Sequence, residues 1–290
     1  VKVYATTVNS GDARLRRADP FIVRLFFGLF KPSTNILGVD VAGVVEEIGK
    51  DVTLYKVGDQ INGSTYGNGF GAHAEYICLK EDGVLAQKPE NLSFDESVSI
   101  FFGGHTALHF LRKANIKRGQ KVLIYGASGS VGTYGVQLAK YFGAEVTGVC
   151  SGANVELVKS LGADKVIDYT TTNFTKNEEI YDIIFDTVGK SPFLGGIHSL
   201  SKKGIFLRAV HMSIVPIIQG IWFGLTTNKK IIAGVASENK EDLIFLNELA
   251  NIGKLIPVID RIYPLKKISE AHEYVDKGHK KGNVVIKLQK

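Results

Sequence analysis

Two hydrophobic rhythms divide this chain. Up to about residue 90 the apolar positions come in short, β-branched runs cut by glycine and polar turns. Val1 to Val8 alternates roughly as a strand does, and Asn9-Ser10-Gly11-Asp12 ends it. Ile36 to Gly49 and Ala74 to Ile77 read as further strands, and Val57-Gly58-Asp59 as a tight turn into another at Gln60-Ile61. Phe21 to Phe30 is strongly apolar, interrupted only by Arg24 and Gly28. It reads either as a buried helix or as the wall of a substrate pocket.

The rhythm changes after Pro89. Ser93 and Glu96 have the spacing of a capping box, which predicts a helix carrying Val98, Ile100, Phe101 and Phe102. Gly103-Gly104-His105-Thr106 predicts an interruption before a second helix over Ala107 to Ala114. From Lys121 strands (122–125, 146–150, 166–169, 183–186, 205–210, 231–236) alternate with helices (132–142, 155–161, 192–200, 240–252). Such alternation predicts a parallel sheet wound on both faces. After Pro257 the chain returns to β character, with one helix (269–277) and a last strand (284–288). The short return suggests completion of the first domain. The expected division is therefore residues 1–97 plus 256–290 as a β domain, and residues 98–255 as an inserted α/β domain.

The stretch from Lys121 to Lys140 carries the clearest chemistry. A strand-length apolar run meets the turn Gly126-Ala127-Ser128-Gly129-Ser130-Val131-Gly132, which opens into a helix pattern. Gly126 permits a sharp turn, Gly129 lets a pyrophosphate approach the backbone, and Gly132 lets helix and strand pack closely. The helix N-terminus then faces the anion. The spacing is GxxGxxG rather than GxGxxG, so its context supports the reading more than the glycines do.

At 290 residues, with 44% hydrophobic and 22% charged residues, the composition is that of an ordinary globular protein. The net charge of +6 comes from scattered short clusters without interleaved aromatics, which argues against nucleic-acid binding and suits a phosphorylated cofactor. Cys78 and Cys150 alone provide neither a disulfide framework nor a four-cysteine zinc lobe. No signal peptide is visible and no apolar run reaches membrane-spanning length; the longest candidate, Ile214 to Leu225, contains Pro216 and Gln219. A cytoplasmic enzyme is the expectation.

Several motifs together resemble the medium-chain dehydrogenase/reductase superfamily. They are Asn9-Ser10-Gly11-Asp12, Ala42 to Glu46, Val57-Gly58-Asp59, Gly71 to Tyr76, Gly104 to Ala107, the glycine turn, Leu161 to Asp164, Phe185 to Gly189 and Glu270-Ala271-His272. Their order covers nearly the whole chain. Within that superfamily the sequence looks like the zinc-free quinone oxidoreductase branch, nearest the chloroplast envelope quinone oxidoreductase and alkenal reductase group through Val149 to Asn154. The resemblance implies an α/β fold, a Rossmann doubly wound parallel sheet inserted in a GroES-like β-barrel-type catalytic domain, with the cofactor in the cleft between them. It also implies further N-terminal strands before Val1, and a homodimer. Zinc-dependent relatives carry a ligand cysteine at Asn9-Ser10-Gly11-Asp12 and Gly-His-Glu at Gly38-Val39-Asp40. Valine cannot ligate, and His73 and His105 have no partner at ligand spacing, so no metal residue is expected.

The resemblance also distributes roles. Thr106, the glycine turn with Ser128, Ser130 and Val131, and Val188 are expected at the cofactor. The second wound strand ends Val149-Cys150-Ser151-Gly152 without the acid that would favour NADH, so NADPH is the expected cofactor. Ser151 either binds the 2′-phosphate or caps a helix, and Tyr169 either lies by the adenosine phosphate or is an ordinary strand-end tyrosine. The chloroplast group has an arginine at Ala153, so this chain lacks that clamp. The expected reaction is zinc-independent reduction of quinones or α,β-unsaturated carbonyls, small apolar substrates that need few hydrogen-bond donors. Asn9 is expected to face nicotinamide or substrate oxygen, unless it serves only as a turn former. Asp12 is a candidate for holding the loop more than for transferring a proton, and Tyr66 and His73 are candidate proton donors. The competing readings are a metal-free NAD(P)-dependent alcohol dehydrogenase and a non-catalytic NADPH-binding protein.

Overall fold

The computed structural model describes residues 1–19, 23–31, 34–209 and 227–288. The stretch Ile214 to Leu225, the start of Phe21 to Phe30 and the expected strand end at Val210 lie outside the described residues. The described strands are β1 (Lys2–Thr7), β2 (Asp40–Val44), β3 (Gln60–Ser64), β4 (Leu85–Gln87), β5 (Lys121–Tyr125), β6 (Glu145–Cys150), β7 (Lys165–Asp168), β8 (Tyr181–Asp186), β9 (Leu200–Arg208), β10 (Lys230–Ala233), β11 (Ile259–Pro264) and β12 (Asn283–Lys287). They form two six-stranded sheets. Contacts divide the chain into two compact units, Val1–His105 with Glu238–Lys290, and Thr106–Ser237.

The first unit holds the sheet β11-β12-β1-β2-β3-β4. The C-terminal return does complete it. β12 lies antiparallel to β1 with Thr6 opposite Ile286, and β1 pairs antiparallel with β2 on its other side. Val3, Val41, Ile61 and Leu85 form one buried cluster, and Val8, Val275, Val284 and Ile286 form another. The expected strand at Ala74 to Ile77 is reduced to an isolated bridge between Tyr76 and Lys2. The described part of Phe21 to Phe30 holds a one-turn helix, Val23–Phe27, whose Leu25 is exposed, as are Leu29 and Phe30 after it, so that part is not a buried helix.

The Ser93 capping box forms as read: Ser93 Oγ accepts Glu96 N–H and Glu96 Oε2 accepts Ser93 N–H. The expected interruption at Gly103-Gly104 does not occur, because a single helix runs Phe101–Lys113. Each glycine costs a helix about 1 kcal/mol relative to alanine. Burial of Phe101, Leu108 and Leu111 offsets that cost, and the break falls at Ser99-Ile100 instead.

The second unit holds β10-β9-β8-β5-β6-β7, with every pairing parallel. Read from β7, the chain goes outward one way from β5 and then outward the other way from β8. This is the doubly wound order, with its switch point beside β5. The core packs Leu123, Val149, Ile184, Ile197 and Phe206.

The helix Lys240–Asn251 groups with the first unit, although the alternation of elements continues the wound pattern through it. A reciprocal amide pair ties it there. Asn247 Nδ2 donates to Asn62 Oδ1 at 2.7 Å and to the Gln87 carbonyl at 3.0 Å, while Asn62 Nδ2 donates to Asn247 Oδ1 at 3.1 Å. Both side chains are buried. Replacing Asn247 by Leu strips acceptors and donors from groups that cannot reach water, which should cost about 2–3 kcal/mol. In urea the midpoint should fall with the slope unchanged; a loss below about 0.5 kcal/mol would show the pair to be incidental.

Candidate functional site

In the wound unit, the glycine turn follows β5 and leads into the helix Ser130–Tyr141. Gly126 has φ +83°, a left-handed conformation that a side chain would strain. A Cβ on Gly132 would stand 2.0 Å from the Gly126 carbonyl oxygen, so only glycine allows the helix so close to the strand end. Gly129 takes the N-cap position without a side-chain cap, and a Cβ there would meet nothing closer than 3.5 Å. The amides of the first helical turn therefore open onto space with the positive end of the helix behind them.

The neighbouring strand ends complete the cradle. Thr187 Oγ1 donates to the Tyr125 carbonyl at 2.8 Å, and Thr187 and Val188 pack against Gly126. That turn is shaped by Asp186, fully buried, whose carboxylate accepts the amides of Val188, Gly189 and Ser191 and the Ser191 hydroxyl, with Arg208 Nη2 at 3.7 Å. On the other side, Asn154 Nδ2 donates to both Ser128 Oγ and Ser151 Oγ at 3.1 Å each. Ser151 makes no side-chain cap bond, which removes its helix-capping alternative. Tyr169 is half exposed just past β7, its amide bonded to the Cys150 carbonyl. Thr106 is half-buried within the helix Phe101–Lys113.

Asn154, Asp186 and Asp168 were not among the expected site residues. Asp168, at the end of β7, lies with Oδ2 only 2.6 Å from where a Gly152 Cβ would stand. Hydrogen bonds from the Thr170 amide and hydroxyl hold its carboxyl below the usual carboxylate range. The acid absent from the end of β6 is thus supplied beside it by the adjacent strand. One-strand reading along the sequence has no signal for that.

The polar cluster of the other unit gathers around Gly38 and Asp40. Asn9 caps the helix Ser10–Arg17, its Oδ1 accepting the amides of Gly11 and Asp12, and Asp12 Oδ2 returns a bond to Asn9 N–H. The turn-forming role is therefore realised. Asn9 Nδ2 is buried and makes no hydrogen bond of good geometry, with the Asp40 carboxyl as its nearby acceptor. Asp12 is fully buried and its other oxygen accepts Gly38 N–H, so it ties two loops together. Burial raises its pKa to about 7.

Asp40 is just as buried. Its Oδ2 is hydrogen bonded to Thr7 Oγ1 and its Oδ1 accepts Phe102 N–H at 3.1 Å. Burial pushes its pKa up to about 8, with a smaller contribution from the neighbouring Asp12. His73 Nε2–H donates to the Thr7 carbonyl at 2.9 Å, and burial lowers its pKa, so at neutral pH it is an uncharged strut. That geometry counts against His73 as a proton donor through Nε2. His272 lies 5.8 Å from it, centroid to centroid, and burial brings its pKa down to about 4. Tyr66 is half exposed at a solvent-facing turn, and the preceding Thr65 anchors that turn to the Gly38 carbonyl. Asn9, Asp12 and His73 thus converge, with Tyr66 on the rim.

Among the described residues no group of three or more His, Cys, Asp or Glu side chains could hold a metal ion. Asp40 is bonded to Thr7 and Phe102, and His73 Nε2 to the Thr7 carbonyl. No helix among the described residues is long and apolar enough to cross a membrane.

Two family profiles match the chain: the alcohol dehydrogenase GroES-like domain over residues 1–90 and zinc-binding dehydrogenase over residues 161–286. The 2-methylene-furan-3-one reductase of Solanum lycopersicum is 33% identical over 296 residues, spanning 99% of this chain and 70% of that protein. The chloroplastic NADPH-dependent alkenal/one oxidoreductase of Arabidopsis thaliana is 30% identical, spanning 99% and 71%. The solved structure of the quinone oxidoreductase from Coxiella burnetii superposes with a TM-score of 0.90 at 31% identity, covering 99% of this chain and 89% of that one.

The two buried carboxyls make stability depend on pH. Their folded pKa values, about 7 and about 8, stand above the ordinary value of 3.8. Between those limits the folded state holds more protons than the unfolded state, so their contribution is fully present below about pH 4 and is lost as the pH rises towards 8. Asp40→Asn should flatten the fall between pH 5 and 8 by up to one proton, about 1.4 kcal/mol per pH unit. Denaturant midpoints at several pH values measure this; an unchanged slope would mean that Asp40 ionises normally.

Proposed function

The chain belongs to the medium-chain dehydrogenase/reductase superfamily, and from that premise we propose that it reduces quinones or α,β-unsaturated carbonyls by hydride transfer from NADPH, without zinc. The observation that carries the reading is the built dinucleotide cradle of the wound unit. Gly126, Gly129 and Gly132 leave room for a pyrophosphate, and the uncapped helix Ser130–Tyr141 stabilises its charge. Thr187 and Val188 brace that turn, and Ser128 and Ser151 offer hydroxyls at the β6 side.

The nicotinamide supplies the hydride. What remains for the protein is to orient the acceptor and to meet the negative charge that develops on its oxygen. Conjugate acceptors spread that charge into an enolate or hydroquinone, so a neutral donor can suffice where a saturated ketone asks for a Lewis acid. Asn9 is the residue we assign to that oxygen, because its buried Nδ2 makes no hydrogen bond of good geometry and has only the Asp40 carboxyl nearby. Asp12 and Asp40 hold the loop that presents Asn9, and Tyr66 on the rim is the exposed hydroxyl available for proton return. The names of the relatives support the substrate class: an enone reductase, an alkenal/one oxidoreductase and a quinone oxidoreductase. NADPH is preferred for the cofactor named in the Arabidopsis relative and for the Ser128 and Ser151 hydroxyls at the β6 side, against the opposing charge of the Asp168 carboxylate beside Gly152.

Turnover of NADPH with 1,2-naphthoquinone, an alkenal and a simple ketone, each with and without a chelator, tests the reading. Activity is expected on the first two, unaffected by chelator. Chelator-sensitive ketone reduction would replace it with a metal-dependent alcohol dehydrogenase, and tight NADPH binding with no turnover on any of the three would make the protein a binder. Asn9→Ala should lower kcat/KM by about 10²-fold, the loss typical of one transition-state donor.

A further inference from the structure

The cradle is short of positive charge where NADPH needs it. Ala153 is exposed and apolar, and the charged side chain nearest Gly152 is the Asp168 carboxylate. A 2′-phosphate there must be met by neutral donors. Asn154 decides whether any are available.

Asn154 is buried just after β6, at the end of the turn Gly152–Asn154 and the start of the helix Val155–Ser160. Asparagine at that position ordinarily caps the helix. Here its side chain makes no cap bond and both Nδ2 hydrogens go to the hydroxyl oxygens of Ser128 and Ser151. These serines come from different loops, one from the glycine turn and one from the end of β6, and both are only half-buried. A hydroxyl has one proton and two lone pairs. Once Asn154 donates to the oxygen, the serine proton must find an acceptor elsewhere. Two serines held this way form a pair of donors directed away from Asn154.

The amide orientation follows from the same accounting. As placed, one acceptor, Asn154 Oδ1, is buried without a partner. Turned over, the amide would take both serine protons and leave two N–H donors unpaired. Orphaned buried donors are the rarer and costlier case.

We propose that Asn154 is the positioning residue that sets cofactor specificity, by holding the Ser128 and Ser151 hydroxyls as donors to the 2′-phosphate in place of a basic side chain. This rests on the NADPH reading given above and adds to it a residue that touches no part of the cofactor. Specificity then comes from hydrogen-bond direction rather than from charge, which the nearby Asp168 carboxylate would oppose. The backbone amides of the glycine turn that meet the 5′ side take no hydrogen bond from the Asn154 side chain, which bonds only the two hydroxyls.

Titration of the full chain with NADPH, NADH, 2′,5′-ADP and 5′-AMP separates these dependences. Wild type should prefer NADPH over NADH; equal affinities would overturn the NADPH reading itself, before any variant is made. Asn154→Ala should weaken NADPH and 2′,5′-ADP together by about tenfold, one good hydrogen-bonding contact's worth, and leave NADH and 5′-AMP within about twofold. The Ser128→Ala/Ser151→Ala double variant, whose side chains are half exposed, should show the same selective loss, and adding Asn154→Ala to it should cost little more. It also carries the test should Asn154→Ala not fold. A preference for NADPH that survives in both variants, or an equal loss for all four ligands, would overturn the role of Asn154 while leaving the NADPH reading intact.

Discussion

The close approach of Gly132 to the Gly126 carbonyl is the constraint on which the cofactor unit depends. A Cβ at Gly132 would fall 2.0 Å from that oxygen, well inside any tolerable contact. Because it is absent, the helix Ser130–Tyr141 can seat its first turn against the end of β5. That seating points the helix N-terminus across the switch point of the sheet, where strands leave in both directions. The remaining parts of the cradle are arranged around this contact. Val188 packs on Gly126, Asp186 draws four hydrogen bonds into the next turn, and Asn154 links the glycine turn to the end of β6.

The other unit is organised by burial of charge-capable groups rather than by close backbone contact. Asp12 and Asp40 are removed from water, and each spends its oxygens on backbone amides or a threonine hydroxyl. Neutral carboxyls are favoured there, and His73 and His272 are favoured neutral by the same burial. The result is a polar cluster carrying little fixed charge. Asn9 sits at the centre of this cluster, its oxygen capping the helix Ser10–Arg17.

Much of the architecture was legible along the chain because periodicity records which face is buried. The alternating segments from Lys121 to Ala233 fall within a few residues of the strands and helices they became. The capping box at Ser93 formed because its partners lie three residues apart. Expectations failed where distant residues outweighed local propensity. Two glycines at 103 and 104 continue a helix held by Phe101, Leu108 and Leu111. Helix Lys240–Asn251 groups with the unit that holds Asn62, its partner in the amide pair.

By itself, then, the sequence determined the two sheets, the glycine turn and the absence of a histidine–glutamate pair at Val39-Asp40, all properties of residues close in the chain. The tertiary structure alone decided which polar groups meet. Ser128 and Ser151 share a donor 26 and 3 residues away, and the carboxylate beside Gly152 comes from the next strand. Asp12 reaches Gly38 across 26 residues, and Asp40 reaches Phe102 across 62. Hydrogen bonds are short and directional, so their partners are chosen by where the fold brings atoms to within about 3 Å. A linear pattern of hydrophobic and polar positions carries no record of that choice.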